Sequence, residues 1–357
     1  MKRRVRLLLK VNPGLEDVAL EECTWEARCN PVEVRTGRGR IIAEAQGSLE
    51  WIYSRTSSMR SLHAAILLLA STRVPKTRDA LEEVYRVALS SGAVSYIPEG
   101  SNFAVESMRI GEGHEYTSMD LSRVVGQAVI DAARSSGKSI GVRLNSPTII
   151  VYSEVDEDLF SMGILLTGER SLHRRGYRVY DHPAALKPSI AYSMLRLAGA
   201  RDGDTIMDPM CGGGTVAIEA ATLLEDSRIL CIDKNPSYIR GAIENALAAR
   251  VYERITFITG DSTRLEELVD PDSVDVVASN PPYGIRMGDP RMVRRVYKGL
   301  ARGLAYALTP GGRAAIITTE SSYMEKVARA EGLRLAHARK VRHGDLWASI
   351  LVLEKRG

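Results

Sequence analysis

Four consecutive residues, Asn280-Pro281-Pro282-Tyr283, carry the densest chemical signal in the 357-residue sequence. They follow an apolar run, Val274-Asp275-Val276-Val277-Ala278-Ser279, that reads as a buried strand. Each proline fixes its own φ, removes a backbone donor and restrains the residue before it toward extended geometry. The turn is therefore stiff, and its carbonyls stay free to accept. The Asn280 side-chain oxygen and the Pro281 carbonyl can converge on one planar NH2 group, while Tyr283 offers a flat apolar face. Such a turn suits an exocyclic amine on a stacked base, or a similar planar amide. Taken alone, the same residues also fit an ordinary strand-end turn.

The elements around the turn favour chemistry. Asp204-Thr205-Ile206-Met207-Asp208-Pro209-Met210-Cys211-Gly212-Gly213-Gly214-Thr215, followed by a helical stretch at 216–224, reads as strand, glycine turn, helix. Glycines let the backbone approach a ligand closely, and a helix N-terminus adds a positive end. No Gly-Lys-Ser/Thr follows, and the spacing is not G-x-G-x-x-G, so neither nucleotide loop applies. A second apolar strand, Arg228–Asp233, ends in an acid placed like those that take ribose hydroxyls in doubly wound sheets. A third leads into Asp261, and the Asn280 strand is the fourth. Residues 313–319 follow the turn Pro310-Gly311-Gly312 as a fifth strand, and 333–341 and 347–354 are the last two. Any one acid at a strand end is a common turn former or helix cap. Four such ends in register call for a ligand in the crevice where open α/β sheets bind them.

On these residues, the chain from about 182 onward resembles a class I S-adenosylmethionine-dependent methyltransferase, of the variety whose fourth motif is Asn-Pro-Pro-Tyr and which acts on exocyclic or amide nitrogens. The resemblance implies an α/β fold with a Rossmann-like, seven-stranded, mostly parallel sheet. It implies that Asp208, Cys211, the Gly212-Gly213-Gly214 turn and Thr215 hold the methionine part of the donor. Asp233, beside Lys234, would take the ribose hydroxyls, and Asp261 the adenine amine with backbone help from Ser262. The segment His182-Pro183-Ala184-Ala185-Leu186-Lys187-Pro188 matches the lead-in that closes over the donor, through His182, Ala184 and Leu186. Asn280 borders the donor and, with Pro281 and Tyr283, would hold the acceptor amine. Gly213 stands where relatives often carry Ser, a departure that a backbone contact absorbs.

Composition bounds the rest. A chain of this length suggests two or three domains. Hydrophobic residues make up 45%, enough for sizeable cores, and no apolar run reaches membrane-spanning length. The opening Met1-Lys2-Arg3-Arg4-Val5-Arg6-Leu7-Leu8-Leu9-Lys10 is too briefly apolar for a signal peptide and reads as a strand, so a cytoplasmic protein is expected. Cys23, Cys29, Cys211 and Cys231 form no C-x-x-C pair. All four read as reduced and structural, with Cys23 and Cys29 the pair an oxidising cell could join. The six histidines show no metal spacing, and no metal is expected. Residues 1–181 hold 24 Lys+Arg against 23 Asp+Glu, and the remainder 24 against 21, which gives the net +4. Bulk charge thus does not announce a nucleic-acid partner. Local clusters at Lys2-Arg3-Arg4-Arg6, Arg35-Arg38-Arg40 and Arg170-Arg174-Arg175-Arg178 could meet phosphates, although a solvated face is the commoner meaning of each.

The first half alternates short strands and helices: strand 5–11, helix 15–27, a hairpin of 32–35 and 40–45, helix 48–62, apolar 63–71 and helix 77–90. A strand ending at Arg109 leads into the turn His114-Glu115-Tyr116-Thr117-Ser118. Helix 121–135 follows, capped by Ser118 or Asp120, then strands at 141–145, 148–154 and 159–167. The Arg109 strand, the His114–Ser118 turn, the Val124-Val125-Gly126 helix and the later strands resemble a THUMP domain, an RNA-binding module that a ferredoxin-like portion usually precedes. The resemblance implies RNA contacts at Arg109 and His114, and from the basic linker at Arg174, Arg175 and Arg178. A lone turn histidine more often packs or caps than reads a ligand.

The expected organisation is a ferredoxin-like domain at 1–60, a THUMP domain at 61–166, a linker at 167–181 and the methyltransferase at 182–357. Together these pieces resemble the TrmN-type THUMP methyltransferases, which make N2-methylguanosine at position 6 of the tRNA acceptor stem. Relatives that modify guanosine 10 generally carry Asp in place of Asn280. The resemblance implies S-adenosylmethionine as cofactor, tRNA as partner and a monomer. The alternatives are N2-guanine methylation at tRNA position 10 or in ribosomal RNA, methylation of adenine N6 or protein glutamine, and RNA binding without catalysis.

Overall fold

The computed structural model describes residues 3–168, 171–283 and 290–357. The first half runs β1 (Arg3–Val11), α1 (Glu16–Ala27), β2 (Asn30–Arg35), β3 (Arg40–Gly47), α2 (Leu49–Ser58), β4 (Leu62–Arg73), α3 (Ala80–Ser90), β5 (Asn102–Ile110), α4 (Ser118–Ser135), β6 (Gly141–Val142), β7 (Ile149–Asp156) and β8 (Leu159–Leu165). The second runs α5 (Pro188–Ala198), β9 (Thr205–Asp208), α6 (Thr215–Leu223), β10 (Arg228–Asp233), α7 (Pro236–Ala248), β11 (Ile255–Thr259), β12 (Val274–Ser279), α8 (Pro290–Ala307), β13 (Leu308–Thr318), α9 (Ser321–Ala330), β14 (Leu333–His343) and β15 (Leu346–Lys355). Two compact units result. One comprises Met1–Val11, Leu20–Arg35 and Arg40–Leu172, the other Asn12–Ala19, Thr36–Gly39 and His173–Gly357.

The first unit is built on one sheet of order β2-β3-β1-β4-β8-β7-β5-β6. Strand β4 pairs antiparallel with β1 on one side and β8 on the other, so the two pieces expected to part near residue 60 share a continuous sheet. Strand alternation sends Leu67, Val151 and Val155 to the face where Val84 and Ala88 of α3 and Leu121, Val125 and Val129 of α4 pack. The opposite face carries Leu8, Ile42, Ile66 and Tyr152. Across it the Arg40 guanidinium of β3 meets the Glu154 carboxylate of β7 at 2.8–2.9 Å, with four pairing steps between those strands. Neighbouring strands lie ~4.8 Å apart, so a flat sheet would hold them ~19 Å apart, beyond the reach of the two side chains. The sheet therefore curls over its second face. Arg35–Asp156, at 3.2 Å, and Lys10 Nζ–Met108 Sδ, at 3.0 Å, are laced across the same curl. Two arginines of one basic cluster are thus turned inward rather than offered to phosphates; Lys2 and Arg170 of the other clusters lie outside the described residues.

Two local expectations are corrected. The N-cap of α4 is Thr117, not Ser118, and Asp120 completes a capping box with it. Cys23 and Cys29 are joined in a disulfide rather than reduced: α1 stops at Ala27, and the chain reverses through Arg28 at φ 51°, which returns Cys29 to the buried Cys23. Cys211 and Cys231 are free and buried.

The second unit holds a seven-stranded sheet of order β11-β10-β9-β12-β13-β15-β14. Strands β9 to β13 pair in parallel, and β15 runs antiparallel to β13 and β14. Helices α5, α6 and α7 bury Ile190, Met194, Val216, Ile218 and Ala242 on one face, and α8 and α9 bury Tyr297, Leu300, Leu304 and Met324 on the other. Register sets Cys231 beside Asp208, Thr259 beside Asp233 and Met207 beside Val277, so the carboxyl ends of β9 to β12 finish close to one line. The turn expected at Pro310-Gly311-Gly312 lies inside β13 as a bulge. There the register jumps from Leu308 opposite Val274 to Arg313 opposite Val276, and Gly311 takes φ 82°.

Candidate active site

Asp208 ends β9 and is 3% exposed. Its Oδ1 accepts from Ser279 Oγ, on the adjacent β12, at 2.9 Å and from the Met210 amide at 3.2 Å. Burial raises the carboxyl to about 7, and those two bonds only partly oppose it. The glycine turn follows. Gly212, at φ 50°, donates its amide to Asp233 Oδ2 at 2.9 Å, while Asp233 Oδ1 accepts from the Asn235 amide at 2.9 Å. Gly214 is the left-handed N-cap of α6, and a Cβ there would come within 3.0 Å of the Ala242 Cβ. Cys211 is buried, its amide bonded to Ile232 O at 2.9 Å. Asp261 caps a short 3-10 helix: its Oδ1 accepts from the Thr263 amide and hydroxyl, and these bonds hold its carboxyl below the ordinary range. Ser262 is buried and donates its hydroxyl to Pro209 O. Lys234 is exposed.

The lead-in segment folds onto the glycine turn. A Cβ on Gly212 would lie 3.3 Å from the His182 ring, and His182 meets Tyr238 edge-on at 4.4 Å. The Ala184 amide donates to His182 Nδ1 at 3.2 Å, so in the neutral ring the proton sits on Nε2. Burial lowers the ring's pKa and keeps it neutral. That Nε2 is fully buried and has no hydrogen-bond partner among the described residues. A buried lone donor, an acid with no cation among the described residues and a glycine cradle fit a ligand carrying both acceptors and positive charge, as S-adenosylmethionine does.

Asn280 joins this segment to the acceptor turn. Its Nδ2 donates to Ala184 O at 3.2 Å, and its Oδ1 accepts from Tyr283 Oη at 2.6 Å. Tyr283 therefore orients the amide as well as offering a ring face; burial raises its phenol. Asn280 Oδ1 keeps a second lone pair for a ligand NH2. Pro281 is buried, and Pro282 O accepts from Tyr297 Oη at 3.2 Å. Burial pushes the Tyr297 phenol up to about 12.

The basic linker behaves differently from expectation. Arg178 donates to Leu186 O at 2.8 Å and Thr215 Oγ1 at 3.1 Å, so it braces the lead-in against α6. Arg175 and Tyr177 both bond the fully buried Glu219 Oε1, at 3.3 and 3.0 Å. Both arginines face inward, and Arg174 is the exposed one. In the other unit, His114 Nε2 lies 2.6 Å from Glu157 O and must donate to it, which leaves Nδ1 to accept from Arg109 at 3.2 Å. His114 staples its turn to the β7–β8 hairpin, and Arg109 is exposed.

Three supporting residues escaped the sequence reading: Ser279, Tyr297 and Asn245. Asn245 makes four bonds. Its Oδ1 accepts from the Val179 and Tyr180 amides and its Nδ2 donates to Tyr180 O and Gly213 O, at 2.8–3.0 Å, which fixes the stretch just before the lead-in to the glycine turn. An asparagine among the alanines of α7 was the only signal for it.

Residues 175–349 match the family described as RMKL-like, methyltransferase domain, and residues 78–165 match the THUMP domain. The tRNA (guanine(6)-N2)-methyltransferase of Archaeoglobus fulgidus is 35% identical over 98% of this chain and 92% of its own length. That of Thermus thermophilus is 33% identical over 96% and 98%. The crystal structure of TrmN from Thermus thermophilus, 31% identical, superposes with a TM-score of 0.80 over 99% of this chain and 100% of its own. Ribosomal RNA large subunit methyltransferase K/L of Pseudomonas aeruginosa is 26% identical, and the match spans 46% of that protein. The chain belongs to the THUMP-domain, class I S-adenosylmethionine-dependent methyltransferases, the family that includes the tRNA (guanine(6)-N2)-methyltransferases.

Proposed function

We propose that the protein methylates the exocyclic N2 of a guanosine in tRNA, at position 6 of the acceptor stem, acting as a cytoplasmic monomer. The division into ferredoxin-like (1–60), THUMP (61–166), linker (167–181) and methyltransferase (182–357) parts belongs to the same reading. The observation that carries it is the bonded pair Asn280–Tyr283 at the end of β12, beside the carboxylate ends of β9 and β10. The near full-length likeness to the Archaeoglobus and Thermus proteins supports tRNA over adenine or glutamine as the substrate.

Bound S-adenosylmethionine supplies an electrophilic sulfonium methyl. In this reading Asp208 and the Gly212–Gly214 turn hold its amino-acid end, Asp233 its ribose and Asp261 with the Ser262 amide its adenine. His182 and Asn280 close over it. The lone pair of guanine N2 is delocalised into the ring, so the amine is a poor nucleophile. As the N2–methyl bond forms and the donor's sulfur–methyl bond breaks, the sulfur keeping the electron pair, N2 would move toward tetrahedral geometry and gain positive charge. Asn280 Oδ1 and Pro281 O accept its two hydrogens and stabilise that charge. Tyr283 Oη and Ala184 O fix the amide so that the oxygen, not the nitrogen, faces the amine. Neither acceptor is a base, so the proton leaves to water once N2 is alkylated. The base must leave its duplex to reach this pocket, which costs a few kcal/mol.

The test is labelled donor with unmodified tRNA transcripts, followed by nucleoside mapping. N2-methylguanosine at position 6, absent with Asn280→Ala although donor binding persists, is the expected result. Label at another position, or unchanged turnover by Asn280→Ala, rejects the reading.

A further inference from the structure

The β14–β15 hairpin ends beside the acceptor turn. The His343 ring meets Tyr283 edge-on, centroids 6.5 Å apart, and hydrogen-bonds the Ala185 backbone. Lys187, two residues further along the lead-in, lies within electrostatic reach of Arg342, His343 and Asp345. At this tip two large apolar side chains stand in water: Leu346 is 43% exposed and Trp347 51%. Trp347 pairs with Arg342 and Ser349 with Lys340, so the indole and the two cations share one face of the hairpin, and both cations are exposed.

The hairpin is braced. Strand β14 is the edge of its sheet, and residues 12–17 of the same unit cover that edge. Asn12 Nδ2 donates to Arg342 O at 3.0 Å, the Arg342 amide donates to Pro13 O at 3.0 Å, and Asp17 pairs with Arg339. Asn12 is itself held by Ser189 Oγ at 2.8 Å. A tryptophan half in water on a pinned strand, with cations on the same face and, from the hairpin's other face, His343 against a catalytic ring, is placed to contact a polyanion with stackable faces.

We propose that this hairpin tip is an RNA-docking surface: Trp347 stacks on the base step next to the extruded guanosine, and Lys340 and Arg342 take the flanking phosphates. The inference rests on the tRNA reading above and adds to it the side of the pocket on which the stem lies. Extrusion leaves a gap in the stack, and an aromatic side chain that covers it lowers the cost of extrusion. The occupant is RNA rather than a protein, because the apolar tip is small and bordered by cations.

Steady-state kinetics with tRNA transcript test it. Trp347→Ala should lower kcat/KM for tRNA about tenfold, or ~1.4 kcal/mol, within the range for one base–aromatic stack. Donor affinity should not change, and Trp347→Phe should recover most of the loss. Activity of Trp347→Ala within twofold of wild type overturns the proposal. The chain has three tryptophans, so a Trp25→Phe/Trp51→Phe background leaves Trp347 as sole indole. Its emission should be quenched on adding tRNA, and unchanged emission overturns the proposal. Should Trp347→Ala not fold, Lys340→Ala/Arg342→Ala decides: the slope of log affinity against log salt should fall by about two, and an unchanged slope overturns it. If wild type binds tRNA and quenches but transfers no methyl, the functional reading fails while the docking surface stands.

Discussion

Glu154 of the first unit and Asp208 of the second are equally hidden from water, at 2% and 3% exposed, yet they titrate in opposite directions. Burial would raise Glu154, but the Arg40 guanidinium and the bonds from Arg40 and Tyr152 outweigh it and hold the carboxyl below its ordinary value. Burial raises Asp208 to about 7, with only a hydroxyl and an amide against it. The first sheet neutralises its buried charge internally, which is what a scaffold needs. The second leaves the Asp208 carboxylate with no cation among the described residues, which is what a site for a cationic ligand needs. The two acids therefore act on stability with opposite sign. Glu154 contributes above the ordinary carboxylate range, and its contribution is lost as pH falls through its depressed pKa. Protonated Asp208 contributes below about pH 4, and that contribution is lost as pH rises to and through about 7.

The largest effect expected is on function. Asp208→Asn should lower methyl transfer by about a thousandfold or more, since it removes charge where a charged ligand is held in a low-dielectric site. The same variant should unfold at an equal or higher denaturant concentration at pH 8, because an unpaired buried charge is gone. Stability measured at pH 5 and pH 8 should differ less than in wild type. A variant that loses activity and is also much less stable at pH 8 would mean that Asp208 is a scaffold acid like Glu154.

Next comes the scaffold acid itself. Glu154→Ala should cost about 3–5 kcal/mol by denaturant unfolding, since it removes the carboxylate that the Arg40 guanidinium meets at 7% exposure. The double replacement Arg40→Met/Glu154→Leu should return to within about 1–2 kcal/mol of wild type, because a well-packed apolar pair often replaces a buried ion pair without loss. Donor affinity should be unaffected in both. If the double variant is as unstable as the single one, the curl of the sheet depends on the pair's geometry and not only on its neutrality.

These contrasts mark where sequence reasoning runs out. The strand ends of the catalytic unit were legible because each is local: an apolar run, then an acid or Asn-Pro-Pro-Tyr. The roles of Arg175 and Arg40 were not. Their partners lie 44 and 114 residues away, and a basic cluster reads the same whether it faces solvent or a buried glutamate. The curl that brings Arg40 to Glu154 arises from pairing among eight strands, which no single segment encodes. The α4 cap was read at Ser118 or Asp120, one or three residues late, because Thr, Ser and Asp all make good caps. The Cys23–Cys29 bridge depends on one left-handed residue, Arg28, that no propensity would place there.

A smaller effect follows from pH. Ionised Asp208 favours a cationic ligand, so the dissociation constant for S-adenosylmethionine should fall as pH rises through about 7, by up to about tenfold per pH unit below the midpoint. Asp208→Asn should abolish that dependence. An affinity flat between pH 5.5 and 8.5 in wild type would show that another group meets the donor's charge.

The finest test moves the midpoint rather than removing it. Ser279 Oγ donates to Asp208 Oδ1 at 2.9 Å and so favours the ionised form, working against burial. Ser279→Ala deletes that donor and little else, since the side chain is fully buried and small. A hydrogen bond to a charged group contributes about 1.5–3 kcal/mol, part of it also made to the protonated acid, and one pKa unit corresponds to about 1.4 kcal/mol, so the donor-affinity midpoint should move up by about one pH unit. At pH 8.5 the variant should bind the donor almost as well as wild type, whereas at pH 6.5 it should bind several-fold more weakly. A uniform loss at all pH values would instead assign Ser279 to shaping the β12 turn, and Asp208 would then owe its titration to burial alone.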